Sequence, residues 1–103
     1  MQFIALEQLI NLYDGYRRRV VFDRQEWLLL QSDGEVFLIQ ANCPHMQWPL
    51  DQAAISAFTI TCQKHRFAFN LRSGCAANPA ANQCNALKTL PLSYDGNHIG
   101  VWR

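Results

Sequence analysis

The chain contains no long apolar run. No stretch approaches the roughly 20 apolar residues that a membrane-spanning helix needs, so no membrane anchor is expected. Charge of either sign is sparse and nearly balanced, with nine Lys and Arg against eight Asp and Glu. A formal net charge of +1 suggests neither nucleic acid nor an anionic membrane surface as a partner. The opening Met1-Gln2-Phe3-Ile4-Ala5-Leu6-Glu7 lacks the basic and long apolar regions of a signal peptide, and a cytoplasmic location is the expectation. Internal repeats, linkers and low-complexity segments are absent from the sequence. No nucleophile paired with a general base is visible, so the chain is not expected to be a catalyst alone.

At 103 residues the chain is expected to be one domain spanning 1–103, large enough for a modest core. Short β-rich runs alternate with turn signals. Phe3 to Leu6 reads as a first strand, and Glu7 to Leu12 as a turn or short helix. Tyr16 to Phe22 and Trp27 to Gln31 read as strands joined by the polar Asp23-Arg24-Gln25-Glu26. Asp33-Gly34 marks a hairpin turn, because Asp-Gly tolerates positive φ, and Val36 to Gln40 pairs back from it. Phe58 to Thr61 and Ala68 to Leu71 are further strands. The Ala-, Asn- and Pro-rich stretch 79–85 reads as loop, and Leu87 to Leu92 and His98 to Trp102 as strands around Asp95-Gly96-Asn97. With no long helical period, the pattern predicts an all-β domain.

The chemistry is concentrated between Cys43 and Phe69. Cys43-Pro44-His45 is followed, after sixteen residues, by Cys62-Gln63-Lys64-His65. Two cysteines and two histidines suit tetrahedral zinc or a [2Fe–2S] cluster in which two His replace two Cys. A zinc finger usually keeps its Cys together and its His together. Here each pair mixes one Cys with one His, which favours a cluster whose irons differ in ligands. A zinc-stabilised interaction module is the alternative from a different functional class.

Cys43-Pro44-His45 with Cys62-x-x-His65 resembles the motif of Rieske-type ferredoxins, C-x-H then C-x-x-H. Phe67-Ala68-Phe69-Asn70-Leu71-Arg72-Ser73-Gly74 is similar to their aromatic-x-Phe-Asp-Leu-x-Thr-Gly run. Asp33-Gly34-Glu35-Val36-Phe37-Leu38-Ile39 resembles the hairpin leading into their first ligand loop. The resemblance implies a Rieske-like antiparallel β-sandwich or barrel, with a small cluster-binding subdomain formed by two loops at about 41–72. It implies one [2Fe–2S] cluster, with Cys43 and Cys62 on one iron, His45 and His65 on the other, and the histidines at the exposed tip. The implied role is a soluble one-electron carrier from a reductase to a terminal oxidoreductase such as a ring-hydroxylating oxygenase. The small subunit of an assimilatory nitrite reductase is the close alternative, and a monomer is the working expectation.

Several residues depart from the family pattern. High-potential members place Ser and Tyr hydroxyls at the positions of Phe67 and Phe69, and a disulfide between the positions of Trp48 and Lys64. Their absence implies a potential near the low end, on the order of −150 mV. Lys64 and Arg66, flanking His65, oppose that trend electrostatically, although exposed charges are strongly screened. Gln47 and Arg66 stand where the family commonly has Gly, which predicts altered loop geometry, and Asn70 replaces the usual Asp. Met46, Trp48 and Pro49 either shield the cluster or form an apolar docking rim, and Lys64 and Arg66 suit an acidic partner. Cys75 and Cys84 are expected to be inert thiols rather than a disulfide. His98 reads as a surface residue, and Arg17-Arg18-Arg19 as a solvated strand face.

Overall fold

The computed structural model describes residues 1–64, 66–83 and 85–103. Ten strands run through them: β1 Phe3–Gln8, β2 Arg17–Phe22, β3 Gln25–Ser32, β4 Glu35–Gln40, β5 Ala54–Ser56, β6 Thr59–Thr61, β7 Ala68–Asn70, β8 Thr89–Leu90, β9 Ser93–Asp95 and β10 His98–Trp102. They form three antiparallel sheets in the orders β1-β10-β9, β2-β3-β4-β8 and β5-β6-β7. The all-β expectation holds.

The middle sheet is buried on both faces, which explains its near-continuous apolar runs. Successive strand residues point to opposite faces. Leu28 and Leu30 of β3, with Phe37 and Ile39 of β4, share a core with Ile60 and Phe69 of the third sheet. Trp27, Leu29 and Leu38 face the other way and pack with Leu6 and Val101 of the first sheet. The first core also contains Cys43 and Cys62, so the two thiols sit at one end of a packed apolar layer.

Three hairpins turn through two residues of positive φ, the geometry whose twist matches that of paired strands. Asp33-Gly34 (φ 51° and 77°) does so as the sequence predicts. Asp23-Arg24 (54° and 59°) and Ala57-Phe58 (50° and 60°) do so without glycine. The second of these turns creates β5, which has no sequence signal, and delays β6 to Thr59. Phe58 is held in place by Phe37, 6.0 Å away edge to face, and by the Arg72 guanidinium 4.0 Å above its ring.

Other boundaries also move. The 87–92 run is not one strand: Thr89 pairs with Ile39 in the middle sheet, whereas Ser93 pairs with Gly100 in the first. Pro91 lies at the crossing, where it has no N–H to give to a ladder. The stretch read as loop at 79–85 contains a short 3-10 turn, Ala80–Gln83. Glu7 to Leu12 resolves into the end of β1 and a 3-10 turn at Leu9–Asn11. Gly74 (φ +78°) is required where it stands, since a Cβ there would lie 2.0 Å from the Leu87 carbonyl oxygen. That contact ties the return from β7 to the segment leading into β8.

Candidate metal centre

Two cysteine loops leave the third sheet and the end of β4, and they repeat one hydrogen-bond pattern. The Cys43 N–H donates to the Trp48 carbonyl at 2.7 Å, and the Gln47 N–H donates back to the Cys43 carbonyl at 2.8 Å. The Cys62 N–H donates to the Phe67 carbonyl at 2.8 Å, and the Arg66 N–H to the Cys62 carbonyl at 2.9 Å. Each loop closes on a residue at positive φ four positions after its cysteine, Gln47 and Arg66, both at 57°. Gln47 and Arg66, standing where the family commonly has Gly, thus adopt the left-handed backbone that glycine favours. The left-handed conformation is retained by side chains that tolerate it at some energetic expense.

Cys43 and Cys62 are buried, at 1% and 2% exposure, and the two thiols are within hydrogen-bonding reach of one another. Burial pushes the Cys43 thiol up to about 11. The backbone N–H groups of His45 and Met46 donate to its sulfur and pull the other way, while Cys62 adds to the rise. Paired thiols in an apolar base, with amides aimed at one sulfur, suit a cationic metal centre that deprotonates them on binding. His45 is exposed, and its ring stacks on Phe67 with centroids 4.1 Å apart and planes inclined by 30°. Among the described residues no group of three His, Cys, Asp or Glu converges on one point. His65, the fourth expected ligand, lies outside the described residues.

The rim of the loops is exposed at Met46, Gln47, Trp48, Pro49, Lys64 and Arg66. Met46 is 62% and Trp48 39% exposed, so these side chains border the site at the surface. Phe67 and Phe69 are buried and bring no hydroxyl towards it. A third segment buttresses the second loop. The Asn78 side-chain amide donates to the Arg66 carbonyl at 2.8 Å, and its oxygen accepts from the Ala68 and Ala81 N–H groups at 3.3 and 3.1 Å.

The arginines of β2 are not a solvated face. Arg17 donates to the carbonyls of Asp51 and Ala53, and Arg19 to the Asp51 carboxylate and to Asn42. Burial lowers the Arg17 pKa, and Asp51 opposes it. Only Arg18 behaves as read, turning outward at 53% side-chain exposure to meet Glu7 at 3.0 Å. His98 lies in β10 and is half-buried. Cys75 is an exposed free thiol; Cys84, and with it any pairing of the two, lies outside the described residues.

Comparison with known proteins decides between the two kinds of centre. A family model described as Rieske [2Fe-2S] domain matches residues 2–91. The chain belongs to the Rieske [2Fe–2S] domain family. Its cofactor is accordingly one Rieske-type [2Fe–2S] cluster, and the zinc reading is set aside. A curated relative, the biphenyl dioxygenase ferredoxin subunit of Pseudomonas sp. (strain KKS102), is 28% identical over 88 residues, covering 84% of this chain and 79% of its own. Among solved structures, a ferredoxin of Sphingomonas yanoikuyae B1 superposes with a TM-score of 0.85 at 21% identity, covering 99% of both chains. A protein assigned as a nitrite reductase NADPH small subunit superposes with a TM-score of 0.79 at 19% identity, covering 97% of both. At those identities the two superpositions establish the Rieske-ferredoxin fold.

Proposed function

We propose that this Rieske protein is a one-electron carrier, in which residues 1–103 form one domain and about 41–72 hold the cluster. Cys43 and Cys62 bind one iron, and His45 and His65 the other. The observation that supports this reading is the pair of buried thiols, Cys43 and Cys62, within reach of one another at the base of two loops that repeat one hydrogen-bond pattern, with His45 exposed on the first. Once bound, the cluster supplies a one-electron couple whose potential is raised by its neutral histidine ligands. Cys43 and Cys62 anchor it at the end of the apolar core, where water is excluded. The His45 and Met46 N–H groups stabilise negative charge on the Cys43 sulfur. Phe67 orients the His45 ring, and the exposure of His45 puts the outer ligand where a partner can exchange electrons.

Partners are a reductase as donor and a terminal oxidoreductase as acceptor. The name of the biphenyl dioxygenase relative favours a ring-hydroxylating oxygenase. The nitrite reductase superposition supports a second reading, in which the chain is the small subunit of such an enzyme. The rim of Met46, Trp48, Lys64 and Arg66 suits an acceptor with an acidic border around an apolar centre. A cytoplasmic, monomeric carrier fits this role; among the described residues no helix is long and apolar enough to cross a membrane.

Stopped-flow mixing separates the readings. The reduced protein is expected to be reoxidised by the oxygenase component of a ring-hydroxylating dioxygenase at a rate that falls with ionic strength. Transfer to a nitrite reductase large subunit, with none to oxygenases, would instead establish the second reading.

A further inference from the structure

The loop 41–53 that carries Cys43 and His45 leaves β4 and returns to β5. Its own ties are short-range: the Leu50 N–H donates to the Ala41 carbonyl at 2.9 Å, and Asn42 bridges Pro49. None of these bonds fixes the loop relative to the sheets. The Gln40 side chain of β4 donates to the Asn42 carbonyl at 2.8 Å, and Leu50 and Ala53 pack into the core. The charged links that span both limbs come from β2, an edge strand of the middle sheet. Arg17 pairs with Leu30 and Arg19 with Leu28, the residues that share a core with Cys43. Alternation therefore puts both guanidiniums on the cluster side of the sheet and sends Arg18 to the other.

Each guanidinium grips the loop at named atoms. Arg17 Nη1 donates to the Asp51 carbonyl at 3.0 Å and the Ala53 carbonyl at 2.6 Å, on the leaving limb. Arg19 Nε and Nη2 donate to the Asp51 carboxylate at 2.7–3.1 Å. Arg19 Nη2 also meets Asn42 Oδ1 at 2.8 Å and the Ala41 carbonyl at 3.4 Å, on the entering limb. Its Nη1 is held by Glu26 at 2.9 Å. Arg19 thus spans both limbs, at the residue preceding Cys43. A planar fork of five donors can make this set of bonds, and a lysine ammonium cannot.

We propose that Arg17 and Arg19 are the positioning residues of the first ligand loop, fixing the backbone N–H groups that face the Cys43 sulfur. This rests on the reading of Cys43 and His45 as cluster ligands. Cluster potentials depend on hydrogen bonds to sulfur and on solvent exposure, so loosening the grip changes the potential by geometry. Charge alone contributes little, because Asp51 and Glu26 offset the two guanidiniums locally. Local pattern carries no sign of this, since Arg19 and Asp51 lie 32 positions apart.

The test compares Arg19→Lys, Arg17→Lys and Asp51→Asn with the unaltered holoprotein. Three readouts are taken: midpoint potential, electron paramagnetic resonance of the reduced state, and amide hydrogen exchange. In the Lys variants the midpoint is expected to move downward and the resonance to broaden, although the charge is retained. Exchange at Cys43 and Leu50 should quicken by about tenfold, the loss of one charge-assisted hydrogen bond, while Cys62 and Arg66 keep their rates. Asp51→Asn, which spares both arginines, should reproduce the loop signature of Arg19→Lys. A wild-type potential and resonance in the Lys variants, whether or not thermal stability falls, would overturn the proposal. So would exchange quickened equally in both loops. If the unaltered protein bound no cluster, the ligand reading would fail, and the exchange experiment would still decide the role of the arginines.

Discussion

Lys64 places its Nζ 5.1 Å from the centre of the Trp48 ring, joining the surfaces of the two cysteine loops above their buried thiols. These are the positions at which high-potential relatives, by the resemblance drawn above, carry a disulfide. A cation–π contact at an exposed site contributes about 0.5–1 kcal/mol, less than a covalent bridge typically does. It can also open without any change of oxidation state.

The loop contact predicts a measurable coupling. Trp48→Ala and Lys64→Met should each lower the melting temperature by roughly 3–6 °C. The double variant should lose less than the sum, because either change already removes the shared contact. Additive losses in a double-mutant cycle would show that the two residues act separately.

Gln47 and Arg66 occupy left-handed backbone at the closing position of each loop. Gly in place of Gln47 relieves that conformation while adding freedom to the unfolded chain, so the net effect is expected to lie between zero and about 1 kcal/mol of stabilisation. Gln47→Val should be destabilising by more than that, since a β-branched residue tolerates positive φ poorly. Denaturant midpoints of the two variants check the sign, and a stabilising Val would contradict the strain assigned here.

The buried rings of Phe67 and Phe69 predict how the potential responds to a hydroxyl. Phe69→Tyr, at a position where relatives of high potential carry Tyr, should raise the midpoint by on the order of 60 mV. That is the equivalent of about 1.4 kcal/mol for one electron, the size of a typical hydrogen bond to a charged acceptor. A redox titration of the variant measures it; an unchanged midpoint would mean that the ring at 69 does not reach the cluster's sulfurs.

Acid stability should depend on Glu7. Hydrogen bonds from Asn11 and Tyr16, then from the Gln8 N–H, hold its carboxyl down from 4.5 to about 2. Its folded pKa lies below its unfolded one, so its contribution is fully present above about pH 4.5 and disappears as pH falls towards 2. Tyr16 is pushed up to about 12, first by burial and then by Glu7. Its contribution is instead lost as pH rises from 10 towards 12. Unfolding midpoints measured across pH should show a flattened acid limb in Glu7→Gln.

How much of this was legible follows from the range of each interaction. The candidate ligands could be read because each cysteine sits within a few residues of a histidine in sequence. Strands β3 and β4 were legible because burial on both faces leaves continuous apolar runs, and Asp33-Gly34 because glycine marks its own turn. Ala57-Phe58 gave no such mark: its positive φ is held by packing against Phe37 and Arg72, and β5 was missed with it. Leu87 to Leu92 looked like one strand because apolar content does not reveal which sheet each half joins. The roles of Arg17 and Arg19 depend on Asp51 and Ala53, brought near by the whole fold. Local pattern is silent about them.

The four residues proposed to hold the [2Fe–2S] cluster are Cys43, His45, Cys62 and His65. The measurement that addresses this assignment most directly is spectroscopy of protein purified without oxygen, with iron, sulfide and zinc assayed in the same sample. A reddish-brown protein with about two irons and two sulfides per chain is expected, and, after reduction, the low average g-value that the resemblance to Rieske-type ferredoxins implies. This signal is expected to be lost or altered in His45→Ala and in His65→Ala. A colourless protein with about one zinc, or a resonance indifferent to both substitutions, would contradict the assignment.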